Sequence, residues 1–87
     1  MTHRVLVTGA AGYLGSNLVK SLADRAAAHG DPARIVASDV RDVPAERRLA
    51  GVEYVALDVR APGLAEVLVE HRIDTVVHLA AIVTPGP

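Results

Sequence analysis

Apolar residues along the 87-residue chain fall into short runs whose spacing changes from one run to the next. Val5-Leu6-Val7 is continuous and stops at Thr8, so Val5–Thr8 is predicted as a strand covered on both faces. Leu14, Leu18 and Leu22 then recur at four-residue intervals, the spacing of one helical face. A helix is predicted from about Tyr13 to Ala28, with Ser16, Asn17, Lys20, Ser21, Asp24 and Arg25 on its wet side. His29-Gly30-Asp31-Pro32 closes it, with glycine past the last turn and proline soon after. Arg34–Ser38 is a second β-rich run ended by Asp39, Val52–Leu57 a third ended by Asp58, and Ile73–Leu79 a fourth. The polar stretch Arg41–Gly51 is expected to hold one helical turn over Ala45–Ala50. Pro62–His71 carries Leu64, Val67, Leu68 and His71 at helical spacing, with Pro62 suited to a first turn.

Strands that alternate with crossovers build right-handed βαβ units and a parallel sheet. The expected class is α/β with strand order 3-2-1-4, one side of a doubly wound sheet plus the first strand across its switch point. The sequence then reads Ala80-Ala81 and closes on Thr-Pro-Gly-Pro. Residues 1–87 are therefore expected to be the N-terminal dinucleotide-binding part of a domain truncated after its fourth strand. That strand would lack an outer neighbour, which predicts aggregation or pairing with a second copy.

Gly9, Gly12 and Gly15 lie between the first strand and the first helix. A strand, a tight glycine turn and a helix in that order form the arrangement that receives a dinucleotide. The helix start points free N–H groups at a pyrophosphate, here around Tyr13 and Leu14, whose side chains are expected to pack under the turn. Asp39 follows the last glycine by 24 positions (39 − 15), close to the ~20 at which an acid meets the adenine ribose. A carboxylate there accepts the ribose hydroxyls and repels a 2′-phosphate, which favours NAD over NADP. Arg41, two positions on, is the residue that would instead suit that phosphate.

Composition narrows the alternatives. The chain is 51% hydrophobic but only 2% aromatic, so its core is aliphatic and stacking on bases has almost no residues to use. A net charge of −1 gives no nucleic-acid footprint. Without cysteine there is no disulfide framework or thiolate metal site. No secretory pattern or membrane-length apolar run is present, so a cytoplasmic, soluble protein is expected. His3, His29 and His71 have no second ligand at metal spacing. Asp24-Arg25 and Glu46-Arg47-Arg48 read as solvated faces.

Thr8-Gly9-Ala10-Ala11-Gly12-Tyr13-Leu14-Gly15, then Asp39, Asp58-Val59 and His78-Leu79-Ala80-Ala81, together resemble the NAD-dependent epimerase/dehydratase family, the extended short-chain dehydrogenases/reductases. The resemblance implies a partial Rossmann fold. It also implies that Asp58 accepts from the adenine amino group beside the Val59 backbone, although an acid ahead of Pro62 equally suits a turn or helix cap. Leu79, Ala80 and Ala81 would pass beneath the cofactor, and His78 reads as a packed or supporting residue. The family's Tyr-x-x-x-Lys pair has no counterpart here: Tyr13 and Tyr54 are followed four residues on by Asn17 and Asp58, and Lys20 is the sole lysine. No catalytic residue is expected within the chain. A longer chain would transfer a hydride between NAD and a hydroxyl-bearing, nucleotide-sugar-like substrate. The competing readings are a non-catalytic dinucleotide-binding or redox-sensing module, and a small partner-binding domain that folds by itself.

Overall fold

A computed structural model of the chain describes residues 3–58 and 62–79. Val59, Ala80 and Ala81 lie outside the described residues. The elements run β1 (Arg4–Thr8), α1 (Tyr13–His29), β2 (Arg34–Asp39), a 3-10 turn (Ala45–Arg47), β3 (Val52–Ala56), α2 (Gly63–Glu70) and β4 (Thr75–His78). The four strands form one parallel sheet in the order β3-β2-β1-β4, as the alternation of strands and helices required.

Strand β1 is central because its residues are apolar on both sides. Val5 and Val7 face α1, where they meet Ala10, Val19 and Ala37. Leu6 faces the other way and packs with Val36 and Val67 of α2. Leu6 and Val7 are wholly buried, and each such side chain contributes about 2 kcal/mol. Strand β4, one of the two outer strands among the described residues, alternates between half-buried and exposed positions.

The helices differ in detail from the spacing argument. Val19, not Leu18, is the fully buried residue of α1, with Gly15 one turn earlier. Leu18 and Leu22 are half-buried and Leu14 is exposed. The contact line is rotated because Gly15 is pressed against the turn, which brings residues four positions apart from Gly15 inward. The residues assigned to the wet side are all exposed.

At its far end α2 stops in a Schellman motif. Arg72 takes the left-handed conformation with φ of 52°. Its N–H donates to Val69 O at 3.2 Å, and Ile73 N–H donates to Leu68 O at 2.9 Å. This use of Ile73 shortens the fourth strand relative to the expected Ile73–Leu79. Asp74 is also engaged outside the sheet ladder, with its carboxylate accepting the Arg4 N–H. The helical turn expected over Ala45–Ala50 is confined to Ala45–Arg47.

A side chain at Gly15 has no space. A Cβ there would stand 2.1 Å from Gly9 O and 2.8 Å from Ala10 Cα, both backbone atoms. Gly15→Ala is expected to cost about 3 kcal/mol or more, a drop of roughly 12 °C or more in melting temperature for a domain of this size. Thermal unfolding followed by circular dichroism measures it, and an unchanged midpoint would contradict this account of the packing.

Candidate functional site

The turn after β1 is shaped by its glycines for separate reasons. Gly9 has φ of 74°, a conformation that other residues enter at a cost. Gly12 is extended, at φ −77° and ψ 173°, and stands at the start of α1. A Cβ on Gly12 would only touch Gly9 O, at 3.4 Å, so the fold does not require glycine there. What glycine leaves clear is the approach to the helix N-terminus. No side chain caps that end, and its first turn holds no acid. An uncapped helix start with an open approach suits an anion. This cradle is the structural feature that fits a dinucleotide pyrophosphate.

Tyr13 and Leu14 do not pack under the turn, contrary to expectation. They are 82% and 59% exposed. As the first two residues of α1 they precede the buried line that begins at Gly15, so their side chains project from the open side of the helix.

Hydrogen bonds between neighbouring strand tips hold the cradle in place. Ala10 N–H donates to Ser38 O at 3.0 Å, and Ala11 N–H donates to Asp39 Oδ2 at 3.1 Å. On the other side, Leu79 N–H is shared between Thr8 O and Thr8 Oγ1, each at 3.1 Å. Thr8 Oγ1 also lies 2.7 Å from His78 Nδ1. His78 is thus an exposed residue whose ring is held by β1, the supporting position read for it. Leu79 packs half-buried against the α1-side core.

Asp39 is 8% exposed at the tip of β2. Besides Ala11, it accepts from Arg41 N–H at 3.0 Å and faces Arg41 Nε at 3.4 Å, both on Oδ1. Burial opposes its charge, but the N–H groups of Arg41 and Ala11 and the Arg41 guanidinium together outweigh burial and hold the carboxyl below its ordinary pKa. The acid is therefore held ionised and fixed against the glycine turn. Asp58 is half-buried two residues past the end of β3, on the same C-terminal edge of the sheet. Gly9, Gly12, Gly15, Asp39, Asp58 and Leu79 are thus brought to one edge, where ligands of open α/β sheets bind.

Sequence reasoning missed the connection between β2 and β3. Arg48 donates to Val43 O and to Asp42 Oδ1, each at 2.8 Å. Its guanidinium also lies 5.5 Å from the Tyr54 ring centre, within cation–π range. The Tyr54 hydroxyl accepts the Leu49 N–H at 2.9 Å. Arg48 is therefore exposed, as the solvated face implied, and also a strut, a role that only the adjacency of Arg47-Arg48 to an aromatic six residues on could have hinted at. This connection and α1 enclose a cavity of about 530 Å³ beside Ala11 and Gly12.

Because the native Asp39 pKa is lowered, its stabilising share is complete above the unfolded value near 3.9 and is lost as pH falls through the lower native value. Asp39→Asn removes that share, so its stability is expected to fall less steeply than the wild type's below about pH 4. Asp31 and Asp74, lowered by hydrogen bonds from His3 and from Thr75 and Arg4, remain in the variant. Urea unfolding at several pH values distinguishes the curves, and parallel curves would refute the assignment.

No helix among the described residues is long and apolar enough to cross a membrane, and no group of three or more metal-ligating side chains occurs among them. The UDP-glucose 4-epimerase of Azospirillum brasilense is 40% identical over 87 residues, covering 94% of this chain and 23% of the relative. Among solved structures, the Bordetella bronchiseptica enzyme WbmG, in complex with NAD and UDP, superposes with a TM-score of 0.71 at 28% identity, covering 98% of this chain and 27% of that one. L-threonine 3-dehydrogenase of Trypanosoma brucei gives 0.72 at 33% identity, covering 97% and 26%. The chain thus spans about a quarter of the length of these relatives. Its residues 5–86 match the family described as NAD dependent epimerase/dehydratase. The glycine cradle, the strand-tip acid and the sheet order agree with that match: the chain belongs to the NAD dependent epimerase/dehydratase family.

Proposed function

We propose that residues 1–87 are the cofactor-holding part of an NAD-dependent oxidoreductase of the epimerase/dehydratase type. The observation that carries the reading is the uncapped start of α1 behind Gly12, flanked by the ionised Asp39. In this reading the N–H groups around Tyr13 and Leu14 hold the pyrophosphate, with Gly9, Gly12 and Gly15 shaping the cradle. Asp39 accepts from the adenine ribose, and Asp58 accepts from the adenine amino group with the Val59 backbone beside it. Leu79, Ala80 and Ala81 line the floor towards the nicotinamide ribose.

NAD is the cofactor favoured by a carboxylate at the ribose. It supplies hydride transfer to or from a carbon that bears a hydroxyl. The UDP-glucose 4-epimerase relative and the UDP complex support a nucleotide-sugar-like substrate for the whole protein, and the threonine dehydrogenase shows the wider hydroxyl-bearing class within similar folds. The 87 residues contain no Tyr-x-x-x-Lys sequence. Proton transfer to and from the substrate hydroxyl therefore belongs to a longer chain, and these residues alone are expected to be inactive.

Binding is expected to reside in the adenosine half. Calorimetry should find ADP within about threefold of NAD, since the interactions named above stop short of the nicotinamide ring. NAD binding a hundredfold tighter than ADP would mean that a nicotinamide pocket is already complete here. Gly12→Ala separates cradle from fold. Its melting temperature should stay within a few degrees of wild type, while its affinity for NAD falls tenfold or more, a loss of about 1.4 kcal/mol. Unimpaired binding by this variant would sink the cradle assignment.

A further inference from the structure

A connection between parallel strands is usually an α-helix, whose own hydrogen-bond ladder holds its shape. The connection from β2 to β3 has no such helix. Its one helical piece is the 3-10 turn Ala45–Arg47. Two bonds close that turn, Arg47 N–H to Pro44 O at 2.9 Å and Arg48 N–H to Ala45 O at 3.2 Å. So short a turn does little to fix the residues on either side of it.

The Arg48 side chain supplies what the backbone lacks. Its guanidinium donates through Nε to Val43 O and through Nη2 to Asp42 Oδ1, each at 2.8 Å, which gathers in the residues ahead of the turn. The same group lies 5.5 Å from the centre of the Tyr54 ring on β3. The Tyr54 hydroxyl in turn accepts the Leu49 N–H at 2.9 Å, which fixes the residue behind the turn. One side chain thus ties both ends of the connection to the sheet. Lysine has no equivalent, because holding two acceptors while lying over a ring needs a rigid fork of N–H groups.

The consequence falls on the cavity beside the glycine turn. Val43, Pro44 and Arg47 of the connection line it together with Gly12 and Tyr13 of the cradle, and Arg48 is not among its lining residues. Arg48 therefore holds a wall that it does not form. A wall set before a ligand arrives spares that ligand the ordering of a loop, a cost otherwise taken from its affinity.

We propose that Arg48 is a positioning residue for dinucleotide binding: by clamping Asp42 and Val43 to Tyr54 it pre-forms the wall that meets the glycine cradle across the cavity. The proposal rests on the dinucleotide reading given under Proposed function.

The test follows ADP binding by calorimetry and backbone amide exchange by NMR, with and without saturating ADP. In Arg48→Ala the affinity for ADP should fall about fivefold. The Arg47 and Leu49 amides should exchange about tenfold faster than in wild type, and ADP should slow them again. Arg48→Lys keeps the charge and loses the fork, so it should remain about threefold weaker than wild type. Asp42→Ala, which removes a negative charge and one anchor of Arg48, should also weaken ADP about threefold, against the direction of simple attraction. Circular dichroism verifies that each variant is folded, and Asp42→Ala decides if Arg48→Ala is not. A residue that served stability alone would lower the melting temperature and leave the affinity of the folded protein unchanged. Wild-type affinity in Arg48→Lys, in Asp42→Ala or in a folded Arg48→Ala, or amide exchange that ADP does not slow, overturns the proposal while leaving the dinucleotide reading standing. If ADP does not bind the wild-type chain, the dinucleotide reading itself falls and takes this one with it.

Discussion

Everything at the cofactor edge depends on a contact that no side chain could share. Gly15 of α1 lies so close to the Gly9 carbonyl that a Cβ would be 2.1 Å from its oxygen. That approach presses the first turn of the helix against the end of β1. The rotated contact line of α1, with Val19 buried and Leu14 outside, follows from the same constraint.

The remaining contacts at this edge lock neighbouring strands to that turn. Ala10 and Ala11 are bonded to the tip of β2, and Thr8 to the end of β4. These bonds span 28 positions in one direction and 71 in the other. Residues far apart in the chain thus meet along one rim, and the acid on that rim stays ionised because the N–H groups of Arg41 and Ala11 and the Arg41 guanidinium are bonded to it. Bonding of this kind is what lets a site recognise a ligand without reorganising on its arrival.

Asp39 is consequently a part of the fold, bonded to Ala11 of the turn and to Arg41, at the position where the proposed function needs an acid. A carboxylate that stabilises the turn cannot also present its full charge to the cleft.

Much of this protein was legible in the order of its residues. Alternation of apolar runs with helical spacing required a parallel α/β sheet, and the glycine spacing marked the tight turn between β1 and α1, because those signals are local and periodic. Strand order 3-2-1-4 followed from reading the chain as one side of a doubly wound sheet plus the first strand across its switch point. What only the tertiary structure decided were the properties that arise between distant segments. Tyr13 and Leu14 turned outward because helix position, not hydrophobicity, sets their direction. Ile73 left the strand for the Schellman turn of α2. Arg48 became a strut because folding laid it on Tyr54. The pairing of Asp39 with both Ala11 and Arg41, and the cavity between α1 and the β2–β3 connection, exist only once strand tips separated by dozens of residues share one edge.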